Sequence, residues 1–120
     1  MRFRRVKVHD VSPEELCSAL SVQILDIKKV KESNFRVQKV GTSVAILVQK
    51  FLLVFHFYVS GGFFISPCDG GDCEVLIFVG GGQAQFMSTG VARDYGKRLV
   101  SLFEEVAEAN EWGFETLEVG

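Results

Sequence analysis

The clearest periodicity in the chain lies toward its C-terminus. Val91, Tyr95, Leu99, Leu102, Phe103, Val106 and Ala107 recur at steps of three and four, while Glu104, Glu105, Glu108 and Glu111 take the opposite side. The pattern predicts one long amphipathic helix over about Val91–Trp112, capped by Ser88 or Thr89 and stopped at Gly113. Gly96 within it would let the helix press close to a sheet. A second helix start stands at Ser12-Pro13-Glu14-Glu15, where Ser12 and Glu15 match a capping box and Pro13 occupies the first helical position. It predicts a short helix, Pro13–Leu20, burying Leu16 and Leu20.

Elsewhere the pattern reads as strands. Residues 2–9 predict the first, and the alternation of Val22, Ile24 and Asp26 against Gln23, Leu25 and Ile27 predicts another over Val22–Val30. Glu32-Ser33-Asn34 reads as a turn, and Phe35–Val40 as a strand before the break at Gly41-Thr42-Ser43. The apolar run Val44–Val59 is sixteen residues long. That exceeds the usual ~3–10 residues of a strand, so a bend or turn is expected near Gln49-Lys50. Ser60-Gly61-Gly62 reads as a hairpin turn into Phe63-Phe64-Ile65. Residues 68–73 read as a further tip, Glu74–Val79 as the next strand, and Gln83–Phe86 as its continuation past a glycine bulge.

An amphipathic helix must bury its stripe, and the sheet is the only large apolar surface available. The expected fold is therefore a single α+β domain over residues 1–120. It comprises a curved antiparallel sheet of about six to seven strands, one short N-terminal helix and one long C-terminal helix packed across the sheet. The strand Val75–Val79, the break Gly80-Gly81-Gly82 and the terminal helix Val91–Trp112 stand in an order that resembles the helix-grip group, which includes START-type lipid carriers and polyketide cyclase-like proteins. The resemblance implies a long helix closing a cavity on the sheet that receives apolar or aromatic ligands.

Composition adds limits. Of 120 residues, 48% are hydrophobic and 23% charged, which is a folding composition, and eleven are Phe. The formal net charge of -2 excludes a strongly basic protein that coats nucleic acid. It conceals a balance of +5 over residues 1–50 and -7 over residues 51–120. Two such halves either attract each other within one fold or leave a basic surface for an anionic partner. Arg2, Arg4, Arg5, Lys28, Lys29, Lys31, Arg36 and Lys39 have only Phe3 and Phe35 among them, too few aromatics for a base-stacking surface, so no nucleic-acid partner is expected. The N-terminal residues lack the apolar stretch of ~7–15 residues of a secretory signal. Val44–Val59 is short of the ~20 residues of a membrane span and carries Lys50. A soluble, cytoplasmic protein is expected.

Candidate chemistry is sparse. Cys68 and Cys73 flank Asp69-Gly70-Gly71-Asp72, a turn whose neck can bring two thiols together. The pair reads as free thiols, as a disulfide, or as half of a zinc site lacking its other ligands. Cys17, on the short helix, reads as a buried free thiol. His9 and His56 are the only histidines, and neither has a nucleophile at a spacing that fixes catalytic geometry. Gly80-Gly81-Gly82-Gln83 precedes extended chain and lacks a lysine, unlike a phosphate loop. No metal or cofactor is expected.

The strongest functional expectation is a binding module holding an apolar small molecule between the sheet and the long helix, lined by Phe55, Phe57, Tyr95, Leu99 and Phe103. The alternative is a structural homo-oligomer or interaction module. In the strand Phe51–Val59, Phe51, Leu53, Phe55 and Phe57 are expected to face the long helix against Leu99, Leu102, Phe103 and Val106, and Leu52, Val54, His56 and Tyr58 the other way. That second apolar set is expected to be covered by another copy of the chain, most simply in a homodimer, or by the chain's own curled sheet. A cysteine- or histidine-dependent enzyme is the third expectation.

Overall fold

The structure is a computed structural model and describes residues 3–26, 33–52, 57–80 and 91–120. Six strands and two helices follow in the order β1 (Phe3–Val8), α1 (Pro13–Asp26), β2 (Ser33–Val40), β3 (Ser43–Leu52), β4 (Phe57–Pro67), β5 (Cys73–Gly80), α2 (Val91–Ala109) and β6 (Phe114–Val119). All strands lie in one antiparallel sheet, ordered β2-β3-β4-β5-β1-β6. The α+β class and the two helices are as the sequence pattern predicts.

α1 starts as expected. The Ser12 hydroxyl oxygen accepts from the Glu15 amide at 3.2 Å, and the hydroxyl donates to the Glu15 carboxylate at 3.3 Å. The helix does not stop at Leu20, however. Leu16, Leu20 and Ile24 stand four apart and are all buried, so the helical stripe runs on to Asp26 and displaces the strand expected from Val22. Val22 itself is 66% exposed on the outer side of the helix.

α2 ends three residues before Trp112, its expected limit. Glu111, not Gly113, takes the left-handed conformation, with φ 57°. The Glu111 amide donates to the Glu108 carbonyl at 3.2 Å and the Trp112 amide to Ala107 at 2.9 Å, a Schellman ending. The chain thus reverses early enough for Phe114–Val119 to form β6 against β1, an element the sequence reading missed.

The long run from Val44 does turn, but later than expected. Phe51 pairs with Tyr58 and Leu52 with Phe57, so Phe51–Val59 is the end of β3 and the start of β4 and not one strand. Ser60-Gly61-Gly62 is not a turn either; it lies inside β4 with partners on both sides. Glycine is needed there for close approach. A Cβ at Gly61 would meet the Phe78 carbonyl oxygen and Leu99, and one at Gly62 would meet the Ile46 carbonyl. The expected continuation Gln83–Phe86 and the caps Ser88 and Thr89 lie outside the described residues.

Strand alternation sorts the sheet into two faces. Val6, Val8, Val44, Ile46, Phe63, Ile65, Val75 and Ile77 point one way and are at most 2% exposed. α1 covers this face over β3 and β4, α2 covers it over β4 and β5, and the helices touch each other. Phe103, 1% exposed, sits edge-on to Phe114 with ring centroids 5.2 Å apart, so β6 helps to close the core beneath α2.

Candidate functional site

Three of the five residues expected to line a ligand cavity, Tyr95, Leu99 and Phe103, are brought together on the inner side of α2 and are buried in the hydrophobic core. The side chains of Phe55 and Phe57 lie outside the described residues, as do those of Leu52, Val54, His56 and Tyr58. Tyr95 keeps one polar feature. Its hydroxyl is buried with no hydrogen-bond partner among the described residues, and burial pushes its pKa up to about 12. An unsatisfied buried hydroxyl costs roughly 1–3 kcal/mol. Tyr95→Phe is therefore expected to raise stability by about 1 kcal/mol in urea unfolding, and a loss would show that the hydroxyl has a partner.

The cysteines are free thiols. Cys73 points into the core from β5, where burial raises its pKa to about 12. Cys68 lies half-buried at the tip, where the Cys68 amide donates to the Asp72 carbonyl at 2.8 Å and closes the loop around the 3-10 turn Asp69–Gly71. Its pKa is raised too, first by burial and then by the charge of Glu74. Burial therefore keeps the Cys73 thiol protonated at neutral pH. Among the described residues no group of three His, Cys, Asp or Glu side chains is placed to hold a metal ion.

Asp72 organises the same corner. Its carboxylate accepts from the Asp10 amide at 3.0 Å and from His9 Nδ1 at 3.3 Å, and Lys7 Nζ stands 3.9 Å away. Asp10 has φ 55°, so the amide that Asp72 receives comes from a left-handed residue between β1 and α1. The arrangement fastens the β4–β5 tip to the end of β1. The Asp10 amide and then His9 hold the Asp72 pKa below its ordinary value. A depressed folded-state pKa gives stability that is complete above the unfolded value of ~3.9 and is lost as pH falls through the folded value. The stability advantage of the wild type over Asp72→Asn is accordingly expected to shrink as thermal melts are taken below about pH 4. An unchanged difference on acidification would show that the carboxylate is not the latch.

Charge is likewise used within the fold. Arg4 reaches Glu104 on α2 at 3.8 Å, and Arg5 bridges Glu74 on β5 and Glu118 on β6 at 3.0 and 3.2 Å. The basic strand β1 lies between acidic neighbours from the second half of the chain, so Arg4, Arg5 and Lys7 are paired within the fold.

The feature that stands out is the sheet face that neither helix covers. Cross-strand rows there run Arg36, Leu47, Gly62, Phe78, Phe3 and, next to it, Gln38, Ala45, Phe64, Leu76, Arg5. Phe3, Phe64, Leu76 and Phe78 are only half-buried and Leu47 is 45% exposed. A trough of about 380 Å³ opens over Ser60 and Gly61, with Leu47 and Gln49 on one wall, Phe78 and Gly80 on the other and Arg36 at the rim. It is open because the row beside Gln49 carries only the small Ser60 and Gly80, next to the larger Leu47 and Phe78. One end of the face is polar, with Ser43, Ser66, Glu74 and Lys7 in a row. The sequence reading expected a second apolar face but sought it in residues 51–59. Along the described part of the sheet it is built by Leu47, Phe64, Leu76 and Phe78. For Leu76 and Phe78 the signal was the unbroken apolar run Val75–Val79, which marks a strand with apolar groups on both faces.

No protein-family model, curated protein or solved structure matches the chain. No helix among the described residues is long and apolar enough to cross a membrane.

Proposed function

We propose that the chain is an interaction module whose sheet face opposite α1 and α2 is its docking surface. The carrying observation is the contiguous apolar patch of Leu47, Phe64, Leu76 and Phe78 on a sheet whose other face is already closed by α1 and α2. The uncovered face of an antiparallel sheet ordinarily alternates to polar side chains. A continuous apolar patch with a charged margin is instead the composition of a protein contact. The three free thiols fit a reducing, cytoplasmic setting for this role. Carbene footprinting in an extract of expressing cells tests the reading. Leu47, Phe64 and Phe78 are expected to be protected while Val22, exposed on α1, is labelled. Labelling of all four to the same degree would refute the role.

A second reading is favoured by the Tyr95 hydroxyl. Its burial without a partner among the described residues fits an apolar small molecule with one polar group, held between the sheet and α2 as the resemblance to the helix-grip group implies. Native mass spectrometry of the purified protein tests this. A retained adduct supports it, and an adduct-free chain opposes it.

A further inference from the structure

We infer that the occupant of the open face is a second copy of this chain, stacked face to face about a two-fold axis that runs parallel to the strands between β4 and β5. The inference rests on the docking role just proposed and names its partner. Three observations carry it.

The first is shape. In the order β2-β3-β4-β5-β1-β6 this axis lays β4 of each copy over β5 of the other. Gly62 and Phe78 are register partners on those two strands, so the operation brings Phe78 of each copy over Gly62 of its mate, where no side chain fills the space between Leu47 and Phe78 and beside which the trough opens. Ridge and hollow lie on either side of the axis, which is what an isologous contact requires. Phe64 and Leu76, also register partners, oppose each other in the same way in the neighbouring row.

The second is charge. The same axis lays β2 over β6. On the open face β2 presents Arg36 and β6 presents Glu118 one row along, both exposed, with Glu118 already beside Arg5 of its own copy. An axis running across the strands would instead set each Arg36 near its own copy. Charge therefore selects the axis parallel to the strands.

The third is size. Six strands span ~24 Å, and the rows from Ser43 to Gln49 span ~20 Å, a projected area on the order of 500 Å². Side-chain relief raises this toward the ~800 Å² per partner of a standard interface. The polar row at Ser43, Ser66 and Glu74 forms part of the rim.

The test is light scattering of the purified chain across micromolar to near-millimolar concentrations, with matched variants. The wild type is expected to approach twice the 13.3 kDa of one chain. Leu47→Arg, at an exposed site that leaves the core intact, is expected to weaken association at least about tenfold. Ala45→Lys repeats the test at a second position, Arg36→Glu weakens association by the charge argument, and Val22→Lys on α1 leaves it unchanged. Circular dichroism confirms that each variant is folded. A wild type that stays monomeric, or a dimer indifferent to both Leu47→Arg and Ala45→Lys, overturns the inference. If that monomer is nevertheless protected at Leu47 and Phe78 in the cell extract, a different protein occupies the face and the docking role stands. If it is labelled there as well, both fall.

Discussion

Phe103→Ala is expected to lower the stability of the fold by about 3–5 kcal/mol. Phe103 is 1% exposed, belongs to the stripe by which α2 meets the sheet, and stands edge-on to Phe114. Truncation removes the transfer energy of a buried ring and leaves a cavity under β6 that the sheet cannot fill without breaking its register with β1. A domain of this size has a total stability of about 5–15 kcal/mol, so the variant is close to the limit of folding. Urea unfolding read by circular dichroism measures the loss. A change under about 1 kcal/mol would mean that α2 and β6 do not share one core.

Gly62→Val is expected to cost at least about 3 kcal/mol, although local preference points the other way. Glycine in a strand is ordinarily a liability of roughly 0.5–1 kcal/mol, and valine is among the best strand formers. The contacts decide the sign. The added Cβ would run into the Ile46 carbonyl, with the Leu47 Cα 3.3 Å away, and neither is a side-chain end that can swing aside. β3 would have to separate from β4, with loss of ladder bonds between two central strands. Gly80→Ala is the control. Nothing among the described residues lies within 4 Å of its Cβ position, so a small gain of about 0.5 kcal/mol is expected. If Gly62→Val were as stable as the wild type, the close approach of β3 and β4 would be wrong.

These two sites show what could be read from the residues and what could not. The stripe Tyr95–Leu99–Phe103–Val106 has a period that only a helix satisfies, so α2 was legible in position and in buried face. The capping box at Ser12 was legible for the same reason, because its chemistry is local. Three features were misread where two local signals competed. Val22–Asp26 alternates like a strand, yet Ile24 also continues the Leu16–Leu20 stripe, and packing against the sheet decides for the helix. Gly61-Gly62 carries the signature of a turn, and only the proximity of β3, β5 and Leu99 shows that the glycines serve close approach. Phe114–Val119 alternates as Phe-Glu-Thr-Leu-Glu-Val, but a short acidic terminal segment becomes a strand only because β1 offers a free edge carrying Arg5 and Lys7.

The open sheet face was half legible. A second apolar sheet face follows from the surplus of Phe, Leu and Val over what one covered face can hold. Its described members, Phe64, Leu76 and Phe78, were not singled out, because their place depends on strand pairings from Ile46↔Phe63 through Phe63↔Ile77. A one-residue error in register would exchange every core residue for a face residue.

That alternation is what the account rests on, and solvent paramagnetic relaxation in NMR reads it directly. Recorded on Leu47→Arg, to keep the face free, the account predicts strong broadening for the side chains of Phe64, Leu76 and Phe78. Phe63, Val75 and Ile77, next to them in sequence and 0% exposed beneath the helices, are predicted to be spared. Equal protection of both sets in that variant would contradict the account, because the chain itself would then cover the face assigned here to a partner.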